Sequence, residues 1–139
     1  MKSTYFSLII IGFIVSFSSC KKEAGEGGSS FIQGKVYAKY YDKYFYTINH
    51  TSYAPDVDVY IIYGEDFTFA ERQRTNFDGS YEFKYLRPGA YKIYAYSRDS
   101  SGLYKNKVNP DAPDIAIIQN VDITKRMQTI LAPDINILK

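Results

Sequence analysis

The sequence predicts an all-β fold, a single sandwich of about seven short strands. Apolar and polar residues alternate along most of the chain, and no long stretch has a helical period. Tyrosine and phenylalanine, which favour strands, number 15 and 9. Turn-forming residues separate the alternating segments at short intervals, which is typical of a sandwich and not of a helical fold.

Several of the predicted strands have one apolar face. Val59 and Ile61 in the second strand, and Tyr91 and Ile93 in the fifth, are expected to face the core because alternate side chains of a strand point to opposite faces. The predicted strands cover residues 31–38, 57–63, 69–76, 81–85, 90–97, 115–124 and 127–132.

Two turns are predicted from backbone chemistry. Asp78 and Gly79 supply the positive φ angles of a tight hairpin, so we expect the third and fourth strands to pair with each other. Pro88 presets φ at the second position of the next turn, and Gly89 is expected to take a positive φ at its third position. Glycine adopts such conformations more readily than other residues.

The first twenty residues have the layout of a secretory signal that ends in cysteine. Lys2 gives a positive start, and an apolar stretch covers residues 5–17. This stretch is shorter than the roughly 20 apolar residues that span a bilayer. Residues 17–20, Phe-Ser-Ser-Cys, resemble the lipobox of bacterial lipoproteins, although that family usually has Leu, Val or Ile in place of the phenylalanine. The resemblance implies cleavage before Cys20 and lipidation of its thiol.

This anchor defines the predicted organisation of the chain. Residues 1–19 form the signal peptide, residues 20–30 carry the lipidated Cys20 and a flexible Gly/Ser-rich tether, and residues 31–139 form the sandwich. Because Cys20 is the only cysteine, its lipidation leaves no thiol for a disulfide. The charged residues that follow it resemble outer-membrane and surface-export signals of Bacteroidetes lipoproteins. They imply an outer-membrane lipoprotein of the cell envelope, with surface exposure as an open alternative.

Several spaced segments carry a second resemblance. They are Gly34-Lys35-Val36, Pro55 followed by alternating valines, the stretch 75–83, and Leu-Arg-Pro-Gly-Ala-Tyr-Lys-Ile at residues 86–93. Together they resemble the carboxypeptidase regulatory-like domain, a relative of Cna-B and starch-binding-like modules, over residues 31–97 and more loosely over the last two strands. The resemblance implies a seven-stranded, Greek-key, transthyretin-like (prealbumin-like) sandwich. It also implies that Tyr91 forms a tyrosine corner, with a buried ring and a hydroxyl bonded to nearby backbone.

The chain departs from this family in an aromatic insertion at residues 37–54, between the first two strands. Part of the insertion is expected to form a hairpin near residues 42 and 43. Its rings either pack over the sandwich as additional core, which is the default for aromatic side chains, or form a binding surface on the scaffold. The candidate binding residues are Tyr40, Tyr41, Tyr44, Tyr46 and Tyr53, joined by outward-facing Tyr60, Tyr94 and Tyr96 if the second and fifth strands are neighbours.

No catalytic, metal or cofactor site is predicted. His50 is the only histidine, and with Cys20 lipidated neither a usual zinc site nor a Cys-His or Ser-His-Asp set can be assembled. Seventeen basic residues face fifteen acidic ones, so the chain lacks the basic excess of a nucleic-acid-binding protein.

These observations predict a lipid-anchored, non-catalytic binding module at the bacterial cell envelope. Its partners would be the membrane, through Cys20, and an envelope protein or an extracellular polymer. The alternative is a carbohydrate-binding surface lipoprotein whose exposed tyrosines stack on sugar rings.

Overall fold

The computed structural model describes residues 23–42, 44–99 and 113–139. Every regular secondary-structure element in this part of the chain is a β-strand. Nine strands form two sheets, as expected for an all-β fold. Cys20 and the predicted signal peptide lie outside the described residues. The strands are β1 (Glu26–Tyr41), β2 (Ile48–Tyr53), β3 (Asp58–Tyr63), β4 (Glu71–Arg74), β5 (Ser80–Leu86), β6 (Gly89–Ser97), β7 (Ile115–Ile123), β8 (Thr129–Leu131) and β9 (Ile135–Leu138).

Strand β1 organises the first sheet. It has 16 residues, which corresponds to a length of about 50 Å at the usual rise per residue. On one edge of β1, β5 pairs antiparallel with its N-terminal half and β2 pairs antiparallel with its C-terminal half. On the other edge, β8 and then β9 pair with it in the parallel direction. Every other strand of this sheet is therefore held by β1.

The second sheet has the order β4-β3-β6-β7, with all neighbours antiparallel. β6 and β7 pair over nine residues, from Gly89↔Ile123 to Ser97↔Ile115. The core lies between the two sheets, and the faces predicted from the alternation are confirmed. Its largest fully buried side chains include Ile32, Val36, Val59, Ile61, Phe83, Leu86, Tyr91, Ile93, Ile135 and Ile137.

The strand number differs from the seven predicted because of β2 and β9. β2 arises in the aromatic insertion, where the predicted extra hairpin forms. Its loop is closed by Asp42, whose backbone N–H donates to Thr47 O at 2.9 Å and whose Oδ1 accepts from Tyr46 N at 2.8 Å. β9 contributes fully buried Ile135 and Ile137, but it has only four residues, too few for the alternation to stand out in the sequence.

The Asp78-Gly79 turn joins the two sheets and not two paired strands. The turn itself forms: Gly79 has a φ of 74°, and its N–H donates to Asn76 O at 2.9 Å. However, β4 pairs with β3, and β5 pairs with β1, so the predicted hairpin is wrong. A Cβ at position 79 would lie 2.8 Å from Tyr53 Cβ and 3.0 Å from Val36 O. Glycine is therefore needed at position 79 for two reasons: its φ is positive, and β1 and β2 lie too close to this position to leave room for a side chain.

The predicted positive φ at Gly89 is confirmed. Gly89 has a φ of 157° and begins β6 directly after Pro88, although this φ differs from the value near +80° at the third position of a type II turn. A Cβ at this position would lie 2.7 Å from the Cβ of Ala24. The glycine thus makes room for the N-terminal segment.

That segment belongs to the folded body, in contrast to the prediction of a tether up to residue 30. β1 already begins at Glu26. The N–H of buried Gly25 donates to Tyr91 Oη at 3.0 Å, and Gly25 O accepts from Arg87 N at 2.8 Å. Tyr91 Oη donates to Arg87 O at 2.6 Å while the Tyr91 ring is buried. The predicted corner geometry of Tyr91 is therefore confirmed, and it also fixes the N-terminal segment.

Candidate ligand-binding surface

Four aromatic rings meet on the outer face of the second sheet. β3 and β6 are neighbours, and Tyr60 and Tyr94 are direct cross-strand partners whose rings stack with centroids 5.0 Å apart and planes at 14°. Tyr96 lies edge-on to both rings, at 5.7 and 5.6 Å. Phe69, from the loop before β4, lies edge-on to Tyr60 at 5.0 Å. We call these four residues the sheet cluster.

The alternation of β3 and β6 places these tyrosines outside. Ile93 and Ala95 of β6 are buried in the core, so the side chains of Tyr94 and Tyr96 point outward. Tyr94 is nevertheless only 8% exposed, because its neighbours in the sheet cluster cover it. Ile118 on β7, the cross-strand partner of Tyr94, extends the apolar surface. About half of Tyr96, Phe69 and Ile118 is exposed, so the surface remains open to a ligand.

Charged side chains border the sheet cluster on β3 and β4. Arg72 is the cross-strand partner of Tyr60, and its Nη1 lies 3.7 Å from Asp58 Oδ2. Arg74 Nε lies 3.3 Å from Asp58 Oδ1, and Arg74 Nη1 lies 3.2 Å from Asp56 Oδ1. The hydrogen bond to Asp58 raises the pKa of Arg74. Such exposed ion pairs stabilise a fold little, but they hold donors and acceptors next to the rings.

The phenol of Tyr94 is held in its neutral form. Burial raises the pKa of Tyr94, and the adjacent Tyr96 hydroxyl raises it further. The Tyr94 hydroxyl is therefore a neutral donor and acceptor at physiological pH.

The β1–β2 hairpin carries a second group of predicted tyrosines. Tyr40 packs against the core and stacks on His50, with ring centroids 4.3 Å apart and planes at 10°. Tyr41 stacks on Phe45 at 5.4 Å. This part of the insertion is additional packing, which is the default expectation for its aromatic residues.

The tip of this hairpin presents the remaining two rings to solvent. Tyr44 and Tyr46 are each about two thirds exposed, and their centroids lie 6.3 Å apart. Phe45 between them has a φ of 58°, a left-handed conformation that is uncommon outside glycine. The tip is therefore a second exposed aromatic surface.

Tyr53 lies apart from both groups, on the outer face of the first sheet. Its ring contacts Tyr37 edge-on at 5.4 Å, Lys35 Nζ lies 4.8 Å from its centroid, and its hydroxyl donates to Asp134 Oδ2 at 3.1 Å. The hydrogen bond to Asp134 is the main cause that raises the pKa of Tyr53. The outer faces of a sandwich point in opposite directions, so Tyr53 and the sheet cluster cannot contact the same sugar or side chain.

The eight predicted tyrosines therefore occupy three places and not one continuous surface. Sequence reasoning missed Phe69 and Ile118. Both residues lie in predicted strands. Whether they neighbour Tyr60 and Tyr94 on the outer face depends on which distant strands pair, and the alternation along the sequence does not specify this.

The described residues include no group of three or more His, Cys, Asp or Glu side chains that could hold a metal ion. The same part of the chain has no helix with the length and apolar character needed to cross a bilayer.

No protein-family model and no curated protein matches this sequence. Among solved structures, the chain is similar to one described as a "putative carbohydrate binding protein" from Pseudomonas aeruginosa. The TM-score is 0.44 at 11% sequence identity, and the alignment covers 79% of this chain and 91% of the other.

Proposed function

We propose that this chain is a non-catalytic binding module, anchored in the bacterial cell envelope through lipid on Cys20, and that the sheet cluster is its ligand-binding surface. One observation carries the proposal: Tyr96, Phe69 and Ile118 form a contiguous, half-exposed apolar surface around the stacked pair of Tyr60 and Tyr94. Contiguous exposed apolar surfaces on a folded domain mark interaction sites. The ligand is an envelope protein or an extracellular polymer.

Site-specific photo-crosslinking in cells tests this location. A benzoylphenylalanine at Tyr96 is expected to give a discrete adduct, whereas the same group at Tyr85, an exposed aromatic position on β5 of the other sheet, is the matched control. Adducts that form equally at both positions, or only at Tyr85, would show that the sheet cluster is not the binding surface.

The anchor is supported by the lipobox resemblance at residues 17–20. The Cys20→Ala variant is expected to lose metabolic labelling by palmitate and to leave the membrane fraction, since two acyl chains hold a protein on a membrane where one holds it weakly. A Cys20→Ala variant that remained on the membrane would contradict lipid anchoring.

A carbohydrate is the second candidate ligand, and the arrangement around Tyr60 favours it. Exposed ring faces can stack on the C–H faces of a sugar, while the adjacent Arg72, Arg74 and Asp58 can bond its hydroxyls. The predicted carboxypeptidase regulatory-like, transthyretin-like fold supports the same class, because starch-binding-like modules are among the relatives that this resemblance implies.

Affinity electrophoresis in gels containing envelope polysaccharides separates the two ligand classes. For a carbohydrate, Tyr96→Ala should abolish retardation, while Tyr96→Phe, which keeps the ring, should retain most of it. The double variant Tyr44→Ala/Tyr46→Ala tests the hairpin tip in the same gel. If only this double variant loses retardation, the carbohydrate binds at the tip and the assignment to the sheet cluster is wrong.

A further inference from the structure

The N-terminal end of β1 lies at one end of the sandwich, where three connections also lie. The cross-strand pairs Tyr63↔Tyr91 and Gly89↔Ile123 place the β3–β4 loop, the β5–β6 turn and the start of the β7–β8 turn at this end. The β7–β8 turn is also fixed to β1, because Phe31 N donates to Gln128 O at 2.8 Å. We call this end, formed by residues 24–28, 64–68, 87–88 and 124–128, the anchor pole.

Little chain separates the anchor pole from the lipidated cysteine. Gly25 is already held by Tyr91 and Arg87, and Ala24 packs against Gly89. From Cys20 to Ala24 there are four residues, which span at most about 14 Å when fully extended. Given the lipid anchor of the proposed function, on which this inference rests, the N-terminal corner of the anchor pole at Ala24 stays within about this distance of Cys20.

Two large apolar side chains project from the anchor pole. Phe67 in the β3–β4 loop is fully exposed, and Met127 in the β7–β8 turn is 83% exposed. Met127 has a φ of 54°, and its N–H donates to Ser29 Oγ at 3.2 Å. The turn is therefore fixed to β1 in a left-handed conformation that methionine rarely adopts, while the Met127 side chain gains little packing within the domain.

The charges at this pole are mixed. Lys92 Nζ pairs with Glu65 Oε2 at 3.0 Å, which neutralises one acidic residue of the β3–β4 loop. The remaining charged side chains of the pole and of the segment that joins it to Cys20 have both signs, five basic and three acidic. These residues are Lys21, Lys22, Glu23, Glu26, Asp66, Arg87, Lys125 and Arg126.

We propose that the anchor pole rests on the bilayer, with Phe67 and Met127 inserted among the lipid head groups as a second attachment beside the acyl chains. Apolar side chains on a membrane-proximal surface add affinity to a lipid anchor. In this orientation β1 points away from the membrane. The β1–β2 hairpin and its exposed tyrosines then face outward, up to about 50 Å from the lipid.

Depth-dependent fluorescence quenching tests this orientation on the full lipidated protein. Because lipid occupies the Cys20 thiol, a new cysteine in Phe67→Cys or Met127→Cys is the only reactive thiol, and it can carry an environment-sensitive label. The matched control is Phe77→Cys: Phe77 is also fully exposed, but it lies in the turn at the opposite end of β4. The proteins are reconstituted into phosphatidylethanolamine/phosphatidylglycerol vesicles with and without nitroxide-labelled lipid.

Labels at positions 67 and 127 should be quenched several-fold more strongly than the label at position 77. Equal quenching at all three positions, or stronger quenching at 77, in a protein that is lipidated and bound to the vesicles would overturn the orientation and leave the anchor intact. If the wild-type protein takes up no palmitate in cells, the anchor is absent, and both the proposed anchoring and this inference fail. Circular dichroism of each labelled variant confirms that the compared proteins are folded.

Discussion

Removal of one hydroxyl, by Tyr91→Phe, should destabilise the domain by about 2 kcal/mol. Tyr91 Oη donates to Arg87 O at 2.6 Å and accepts from Gly25 N at 3.0 Å. The substitution leaves the buried Gly25 N–H without its acceptor, and an unsatisfied buried polar group costs about 1–3 kcal/mol. For a domain of this size, a loss of about 2 kcal/mol lowers Tm by about 8 °C.

Tyr81→Phe is the matched control, because it removes the same atom from an equally buried ring. Tyr81 is 2% exposed and Tyr91 is 1% exposed. However, Tyr81 Oη is buried without a hydrogen-bond partner among the described residues. Its removal relieves a desolvated hydroxyl, so Tyr81→Phe should leave the free energy of unfolding unchanged or raise it by up to about 1 kcal/mol.

Urea unfolding of both variants in the Cys20→Ala background, followed by circular dichroism, measures the difference. Amide hydrogen exchange adds a local readout, since the Gly25 N–H should lose protection in Tyr91→Phe and keep it in Tyr81→Phe. If the two variants change the free energy of unfolding equally, or if Gly25 stays protected in Tyr91→Phe, the Tyr91 hydroxyl does not fix the N-terminal segment.

Two other substitutions test the interior and the inter-sheet turn. Gly34→Ala should destabilise the domain by about 2 kcal/mol in thermal unfolding, because the new Cβ would overlap the Tyr81 hydroxyl; an unchanged Tm would show that the Tyr81 ring moves freely. Hydrogen bonds from the Ser80 hydroxyl and N–H, and then from Lys35, lower the pKa of Asp78 from 3.8 to about 2. Because the pKa of Asp78 is lower in the folded than in the unfolded state, its ionised carboxylate stabilises the fold fully above pH 4. This stabilisation is lost as the pH falls towards 2. Asp78→Asn should therefore lose less stability than wild type between pH 4 and 2 in urea titrations, and parallel curves would contradict the assignment.

The sequence predicted those parts of the fold that depend on local alternation. Val59, Ile61 and Ile93 are buried because every second side chain of a half-buried strand must face the core. The partner of each strand was harder to predict. Asp78-Gly79 specifies a chain reversal, but it does not specify which sheet receives the next strand. Buried Phe83 packs in the sheet of β1, and this non-local contact overrides the hairpin that the turn alone suggests.

The candidate site was predictable to the same extent. Alternation correctly placed Tyr60 and Tyr94 on an outer face, but their stacking depends on the pairing of β3 with β6, which are distant in the sequence. Phe69 was predicted to lie in the third strand, whereas β4 begins only at Glu71. The loop conformation that brings Phe69 to Tyr60 follows from tertiary packing and leaves no periodic signal.

The end-to-end course of β1 has a mechanical consequence. When the chain is pulled at its N-terminal end, the force enters the sandwich through Glu26 and acts along the axis of β1. The hydrogen bonds to β2 and β5 on one edge, and to β8 and β9 on the other, lie across that axis. They are therefore loaded together in shear and do not open one by one like a zipper.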